Sequence, residues 1–449
     1  MKVKMLRRDN ADYLRETKHD IHKIPRSFHP DAHPHDAGRE YVRALNAVKL
    51  ERVFAKPLMG ALDGHGDAIS ALALHCQRLT WMASSAADGQ IRFWDLMTKK
   101  TLIKAKGHDT FTRGITFDPA GEFLWSVGDD KTVKSWRIAD VPVEPQPAST
   151  LPPHQTFIGQ KMMTGLSHQV GEPILATCGE NTSLWNTEMH TVVREYQWGV
   201  DSIHDIKFNP TETHILGACA SDRSILLYDV RERNPMRKVI MELRSNEMSW
   251  NPMEPFVFAV ANEDYNVYSF DIRSLKKPLI VHMDHTAAVI GLDYSPTGKE
   301  IVAGSYDKTI RIFKCDEGHS REVYHTKRMQ RLTCVAWTKD NKYILSGSDE
   351  MNIRMWKAKA WEKLGPLKDR QKSALDYNDK LKEKFASHPK VRRIARHRQV
   401  PKHVMNARKE HQIIRESKKR KEANRRQHSK PGAVPYVPER EKHVIEEQE

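Results

Sequence analysis

The stretch SSAADGQIRFWD, residues 84–95, sets the pattern on which most of the chain is built. It places Asp88 in a short turn and follows it with alternating apolar and polar residues that end in Trp94-Asp95. Such alternation predicts a half-buried β-strand. Seven turn positions of this kind recur at steps of 42, 50, 42, 42, 43 and 42 residues: Asp88, Asp130, Glu180, Asp222, Asp264, Asp307 and Asp349. A four-stranded propeller blade needs about 40–45 residues, so the spacing predicts an all-β propeller of seven blades.

Histidine, aspartate and tryptophan recur together in these repeats, which resemble the WD-repeat family. In that family the His, a strand hydroxyl, the turn Asp and the Trp indole form one hydrogen-bonded network. Ser84 or Ser85 in the first repeat and Ser126 in the second are candidate hydroxyls. Because a buried His or Asp needs partners, we interpret these residues as structural rather than catalytic. The best matches are His65, Asp88 and Trp94 in the first repeat and His108, Asp130 and Trp136 in the second.

The repeats divide the chain into three predicted parts. We expect an extended N-terminal segment at 1–47, the propeller at 48–356 and a basic α-helical C-terminal extension with an extended tail at 357–449. The alternating segment 48–54 is predicted to supply the outer strand that closes the last blade, which would leave no open sheet edge there. A proline-rich insertion at 141–153, between repeats two and three, accounts for the step of 50 residues.

The net charge of +15 is concentrated outside the propeller. Residues 357–449 hold 27 Lys and Arg against 13 Asp and Glu, whereas residues 48–356 hold 36 against 38. A nearly neutral propeller suits protein binding, and a basic extension suits nucleic acid or an acidic partner. The five cysteines form no CxxC motif and indicate a reducing compartment. No apolar run approaches the ~20 residues needed to cross a bilayer, and the N-terminus does not read as a secretory signal. We therefore expect a soluble, intracellular protein.

The C-terminal extension contains two predicted helices. Ser373 and Asp376 form a capping-box start, and the apolar residues Tyr377, Leu381 and Phe385 then follow at helical spacing, so one face should dock. A second, basic helix is predicted from Lys402 to Gln427, and residues 428–438 should be extended. The basic residues suit three roles: a solvated helix face, a nuclear-import signal, or contact with an RNA backbone. The candidates for RNA or particle binding are Arg392, Arg393, Arg396, Arg398, Lys418, Lys419, Arg420, Lys421, Arg425 and Arg426.

Three segments outside the repeats resemble the Sof-type WD-repeat proteins, namely residues 39–57, 392–398 and 425–432. The likeness extends over essentially the whole chain, and the last two segments resemble the Sof domain that follows the propeller. The resemblance implies a non-enzymatic ribosome biogenesis factor of the nucleus and nucleolus. It would be a structural subunit of the small-subunit processome, with pre-ribosomal assembly factors, small-subunit pre-rRNA and a box C/D snoRNP as partners.

A second role is implied by animal members of this family, which resemble substrate receptors of cullin ubiquitin ligases. Their signature is a WDxR box, whose Asp and Arg are thought to be read by the ligase adaptor. Two relaxed versions occur here, Tyr228-Asp229-Val230-Arg231 and Phe270-Asp271-Ile272-Arg273. In the alternative interpretation, Asp229 and Asp271 merely end a strand, and Arg231 and Arg273 are surface charges.

The sequence offers no catalytic or cofactor site. It contains no P-loop, nucleophile elbow or zinc-protease helix. His29, His33 and His35 cluster, but their spacing fits no standard zinc pattern, so we predict an extended docking peptide there. We accordingly predict no enzyme activity, no metal, no cofactor and no membrane partner.

Overall fold

The computed structural model describes residues 31, 34–146 and 149–448. They fall into two units, one made of residues up to Phe54 together with Lys363–His397 and the other of Ala55–Glu362 together with the residues from Arg398 onward. His29 and His33 of the predicted docking peptide lie outside the described residues. No helix of the described chain is long and apolar enough to span a bilayer.

The second unit contains the seven-bladed propeller, so the predicted fold class is confirmed. Each blade is an antiparallel sheet whose first strand lies nearest the centre, beside the first strands of its neighbours. Blade 1 contains β2 (Ile69–Leu74), β3 (Trp81–Ala86), β4 (Gln90–Asp95) and β5 (Lys100–Lys106). Blade 2 contains β6 (Thr112–Phe117), β7 (Phe123–Gly128), β8 (Thr132–Arg137) and β10 (Gln155–Ile158). Blade 3 contains β11 (Met163–His168), β12 (Ile174–Gly179), β13 (Thr182–Asn186) and β14 (Thr191–Tyr196).

The remaining blades repeat this order. Blade 4 contains β15 (Ile203–Phe208), β16 (Ile215–Ala220), β17 (Ser224–Asp229) and β18 (Pro235–Met241). Blade 5 contains β19 (Ser245–Trp250), β20 (Val257–Asn262), β21 (Asn266–Asp271) and β22 (Ile280–Met283). Blade 6 contains β23 (Val289–Tyr294), β24 (Glu300–Ser305), β25 (Ile310–Lys314) and β26 (Ser320–Tyr324). Blade 7 contains β27 (Leu332–Trp337), β28 (Tyr343–Ser348), β29 (Ile353–Lys357) and β1 (Leu58–Leu62).

The ring closes by pairing early with late sequence, but not through the predicted segment. β1 lies antiparallel to β29 as the outer strand of blade 7. The segment 48–54, predicted as that strand, instead forms the end of the helix α1 (Asp36–Val53) and its C-cap residue Phe54. The apolar residues Tyr41, Ala44 and Val48 recur at helical spacing, and Ala44 and Val48 are buried. The prediction of an extended segment up to residue 47 was therefore wrong for residues 36–47.

Two blades carry a fifth strand. The proline-rich insertion lies inside repeat two, between β8 and β10, and its short strand β9 (Thr150–Leu151) pairs in parallel with β5 of blade 1. The C-terminal strand β30 (Val444–Gln448) pairs antiparallel with β18 of blade 4. Both additions cover an outer edge that would otherwise expose unpaired backbone groups.

Half-buried carboxylates join the first strands of neighbouring blades. Each accepts a hydrogen bond from a backbone N–H of the next blade, which ties consecutive sheets together without any covalent link. Burial raises the pKa of Glu247 to about 8 and that of Asp293 to about 6. The bonds run from Met248 N to Asp205 at 3.0 Å, from Leu292 N to Glu247 at 2.7 Å, and from Trp337 N to Asp293 at 2.7 Å.

The first unit is helical. It contains α1, α2 (Asp369–Lys384) and α3 (Pro389–Arg396). The predicted apolar face of α2 docks on α1: Leu381 is buried, and the Phe385 ring lies 6.0 Å from that of Tyr41. The predicted capping box was wrong, because α2 begins at Asp369 and the Ser373 hydroxyl donates to the Asp369 carbonyl at 2.9 Å.

Candidate protein and nucleic-acid interfaces

The propeller has two faces, which we name by their loops. The turn face carries the turns between second and third strands, including Asp130 and Asp307, together with the connections between blades. The box face carries the loops between first and second strands and between third and fourth strands, and therefore includes Asp229 and Asp271.

The hydrogen-bonded network on the turn face is most complete in blade 2. The His108 Nδ1 lies 2.9 Å from both carboxylate oxygens of Asp130, and its Nε2 lies 2.9 Å from the Ser126 hydroxyl. The Trp136 indole N–H donates to the same hydroxyl at 3.2 Å. Burial lowers the pKa of His108, against the opposing effect of Asp130. All these contacts are internal, as a structural role requires.

Blade 1 has a partial network. The His65 Nε2 lies 2.6 Å from the Ser84 hydroxyl, which accepts the Trp94 indole N–H at 2.7 Å. Ser84 is thus the hydroxyl of this network rather than Ser85. Asp88 caps its own turn, accepting the Gln90 N–H at 3.0 Å, and forms no hydrogen bond to His65 among the described residues. Burial, with the charge of Arg92, lowers the pKa of His65 to about 3.

Blade 6 has the most buried carboxylate of the seven turns. Asp307 is only 6% exposed and lies 3.0 Å from the His285 Nδ1. It also accepts bonds from the Thr309 hydroxyl at 2.6 Å and the Thr309 N–H at 2.9 Å. The His–Asp hydrogen bond of blade 6 has no counterpart in blade 7 among the described residues. There Asp349 is exposed, and the His325 Nε2 lies 3.1 Å from the Gln399 carbonyl.

The predicted basic helix is found at the predicted residues as α4 (Lys402–Gln427), and its first half is anchored on the turn face. Val404 is buried, and Arg408 lies 3.0 Å from Asp284 in the connection between blades 5 and 6. The His411 ring stacks on Tyr265 with ring centroids 5.1 Å apart. Tyr265 follows the turn residue Asp264 of blade 5. These anchor residues were missed from sequence, since none belongs to a repeat motif.

The predicted cations in the second half of α4 are exposed to solvent. Lys418, Lys419, Arg420, Lys421 and Arg425 are exposed. Lys419 pairs with Glu439 at 2.9 Å. Among the described residues, the other four cations of this run form no ion pair. Arg426 is partly buried, with its guanidinium 4.9 Å from the centre of the Tyr436 ring.

The remaining basic candidates separate into two groups. Arg392, Arg393 and Arg396 are exposed on α3, in the helical unit. Arg398 is instead 18% exposed, donates to the Arg321 carbonyl and lies 3.5 Å from Glu322 of β26. Arg398 therefore holds the chain to blade 6, and its role in RNA or particle binding stays a prediction.

The two candidate adaptor boxes end the third strands of blades 4 and 5. Asp229 accepts the Arg231 N–H at 2.9 Å, and Asp271 accepts the Arg273 N–H at 2.9 Å. Asp95 accepts the Met97 N–H in the same way in blade 1, without any following Arg. Capping the turn is thus a structural role of these aspartates, so the aspartates alone do not indicate an adaptor.

The two box arginines differ. The Arg273 guanidinium forms a fork on Asp271, with Nε to Oδ1 at 3.0 Å and an Nη to Oδ2 at 2.7 Å, and it lowers the pKa of that carboxyl. Arg231 is exposed, and its side chain has no partner among the described residues. β30 reaches the second box indirectly, because Arg237 contacts both Glu447, at 3.4 Å, and the Ile272 carbonyl, at 3.1 Å.

Comparison with known families supports the propeller and the extension separately. A model of the Sof1-like domain matches residues 358–444. A model of the WD domain, G-beta repeat, matches residues 56–95, 99–137, 276–314 and 318–357. The first match begins directly after the last propeller strand, at Ala358.

Curated proteins resemble the chain over nearly its full length. DDB1- and CUL4-associated factor 13 from Xenopus laevis is 51% identical, and the match covers 99% of both chains. The Mus musculus protein of the same name is 53% identical with the same coverage. Protein SOF1 from Saccharomyces cerevisiae is 40% identical, with 99% of this chain and 94% of the yeast protein covered.

Proposed function

We propose that this chain, which belongs to the Sof1-like family of WD-repeat proteins, is a non-enzymatic scaffold subunit of the particle that assembles on small-subunit pre-rRNA. In this proposal the propeller binds other assembly factors, and the basic extension contacts the pre-rRNA or its box C/D snoRNP in the nucleolus. The family resemblance suggests which particle the chain joins. The structure suggests that the propeller and the basic extension have separate binding roles.

The observation that carries the proposal is that α4 is anchored at one end and basic at the other. Its first half is held by Arg408 on Asp284 and by His411 on Tyr265. Its second half presents exposed cations at 418–425. A helix held in this way presents its charges at a fixed place on the propeller. Cations that neutralise phosphates release counterions, which gives affinity without reading sequence.

RNA–protein crosslinking with sequencing tests the RNA contact. We compare the full chain with a variant in which Lys418, Arg420, Lys421 and Arg425 are changed to alanine. Deleting the extension would be a poor test, because it would also remove β30 from blade 4 and the anchors of α4. A matched control changes four exposed propeller lysines to alanine, namely Lys100, Lys276, Lys277 and Lys327.

We expect crosslinks to small-subunit pre-rRNA or its guide snoRNA in the wild-type chain and in the control variant. The α4 variant should lose most of them while still sedimenting with the particle through its propeller contacts. If the α4 variant crosslinks as well as the control, the helix does not contact RNA. If the wild-type chain yields no such RNA at all, the particle assignment itself is wrong.

A second candidate function is supported by Arg231 and by the names of the animal relatives. Those names state association with DDB1 and CUL4. Arg231 lies on the box face, whereas the anchors of α4 lie on the turn face. A ligase adaptor could therefore use the boxes without displacing α4, and both functions are compatible with one chain.

Binding of purified DDB1 to the full chain, measured by calorimetry, tests this candidate. The Arg231→Glu/Arg273→Glu variant should lose binding, while a control variant, Arg223→Glu/Arg233→Glu, should retain it. Arg223 and Arg233 are exposed residues of the same blade as Arg231. If both variants bind DDB1 equally well, the boxes are not the adaptor site. If the wild-type chain does not bind DDB1, this candidate function is wrong.

A further inference from the structure

A cavity of about 550 Å³ opens on the box face between blades 2 and 3. Its walls are the β6–β7 loop from Asp118 to Phe123, the β11–β12 loop from Gln169 to Pro173, the β13–β14 loop up to His190, and the loop that ends at His154 just before β10. None of these residues belongs to a repeat network, to the boxes or to the basic extension. The cavity is large enough for one long side chain and the backbone that carries it.

The walls are acidic. Asp118, Glu122, Glu172 and Glu188 line the cavity, and no Lys or Arg does. Among the described residues, no Lys or Arg lies within ion-pair distance of any of the four carboxylates. An acidic cluster alone does not define a site, but here it is joined by buried polar groups without partners.

Two buried side chains in the walls lack hydrogen-bond partners among the described residues. Gln169 is fully buried, and neither its amide nitrogen nor its amide oxygen is paired. Trp125 is 4% exposed, and its indole N–H is unpaired. Leaving a buried polar group without a partner is unfavourable. A ligand that supplies both donors and acceptors would satisfy these groups.

A third buried group selects a cationic donor. The His168 side chain is 6% exposed, and its Nδ1–H donates to the Gln169 carbonyl at 2.7 Å. Burial lowers the pKa of His168, so its Nε2 carries a lone pair at neutral pH. That Nε2 lies 3.7 Å from the Asp118 Oδ1. Two acceptors thus face each other with no donor between them.

We propose that this cavity binds an arginine side chain of an extended basic segment in a partner protein. The guanidinium is a planar fork of donors that can reach Asp118 and His168 together, which an ammonium point charge cannot do equally well. The partly exposed Phe123 ring offers a face for the cation. Backbone carbonyl and N–H groups of the segment would pair with the Trp125 indole and the Gln169 amide.

Calorimetry on the full chain tests the proposal with a defined probe, the acetylated and amidated peptide Gly-Arg-Gly-Arg-Gly. The matched peptide has citrulline at both Arg positions and so keeps the shape without the charge. One variant, Asp118→Asn, removes the central carboxylate charge. A second, Glu172→Gln/Glu188→Gln, changes only exposed loop residues and should not disturb folding. The control, Glu212→Gln/Glu254→Gln, makes the same charge change on the same face, in the loops between the first and second strands of blades 4 and 5.

We expect the arginine peptide to bind the wild-type chain and the control equally. Each cavity variant should weaken binding roughly tenfold or more, the loss expected when a charge-assisted hydrogen bond is removed. The citrulline peptide should bind at least as weakly. Equal weakening by the control would show a general charge effect and overturn the proposal. Equal binding of the two peptides, or no binding of the arginine peptide, would overturn it as well.

Discussion

The two faces of the propeller use the same charged residue types in opposite ways. On the turn face, Asp307 and Asp284 are 6% exposed or less at their side chains and are held by donors of the same chain. On the box face, Arg231 and the carboxylates of Glu172 and Glu188 are exposed without charged partners among the described residues. The turn face is largely completed by the chain itself, including α4. The box face leaves these charges available to other molecules, although its Arg273 is paired with Asp271.

This difference separates residues that stabilise the fold from residues that can bind. A buried carboxylate costs free energy unless it is paired, so the turn-face aspartates must be judged by their partners. An exposed charge contributes little to stability, so a box-face charge can be changed with little effect on folding. Substitutions on the two faces should therefore have very different effects, and the predictions below run from the largest to the smallest.

Asp307→Ala should have the largest effect. It leaves the His285 Nδ1–H and the Thr309 donors unpaired in a buried site, so we expect a loss of about 3 kcal/mol in the free energy of unfolding. Urea denaturation measures this loss in the free energy of unfolding. The matched control is Asp349→Ala, at the same turn position of blade 7, where the side chain is exposed and forms no hydrogen bond among the described residues. Similar losses in both variants would contradict the distinction by burial.

Acid should remove part of the same stabilisation. Burial alone would raise the pKa of Asp307, but His285, Thr309 and Arg311 outweigh it and lower the pKa to about 2. A carboxyl whose pKa is lower in the folded state stabilises above the unfolded value of 3.8 and loses that contribution as the pH falls towards 2. The advantage of wild type over Asp307→Asn should therefore shrink by about 2 kcal/mol between pH 4.5 and pH 2. Urea midpoints across this range measure it, and a constant difference would contradict the assignment.

Arg408→Ala should have a smaller and more local effect. Arg408 is 53% exposed, so its ion pair with Asp284 contributes less than about 1 kcal/mol to global stability. The pair nevertheless anchors α4, so amide hydrogen exchange should become faster across residues 402–415 while the blades keep their protection. Lys409→Ala, an exposed neighbour without an ion pair among the described residues, is the control. Unchanged exchange in Arg408→Ala would show that Val404 and the His411 ring suffice as anchors.

Much of the propeller could be predicted because its signals are local and repeated. Each turn carboxylate lies beside the donors it accepts, as Asp88 and Asp130 do within their own turns. The limits of α4 were also predictable, since Pro401 and the proline-rich residues after 428 bound a long run without helix breakers.

The errors concern elements whose partners lie far away in sequence. Residues 48–54 alternate over a short span, and only the longer spacing of Tyr41, Ala44 and Val48 reveals a helix. β30 is a short acidic run, and nothing local shows that it pairs with β18. The contact of Arg398 with Glu322 could not be predicted either, because Arg398 looks like the other arginines of its segment. The cavity between blades 2 and 3 likewise needs four loops, none of which carries a motif.

The two box arginines should have the smallest effect on stability and should differ from each other. Arg273→Ala removes the fork on Asp271 and should lower the urea midpoint slightly. Arg231→Ala removes no side-chain hydrogen bond or ion pair to a described residue and should leave the midpoint unchanged. If DDB1 contacts both boxes, the effects of the two variants on DDB1 binding should have the opposite order to their effects on stability. An acidic group of the adaptor must compete with Asp271 for Arg273, but it meets no competitor at Arg231, so Arg231→Ala should weaken binding more. Calorimetry of DDB1 binding to the two single variants tests this expected order. A larger loss from Arg273→Ala would mean that the preformed Asp271–Arg273 pair is read as a unit, and that the second box rather than the first is the adaptor's main contact.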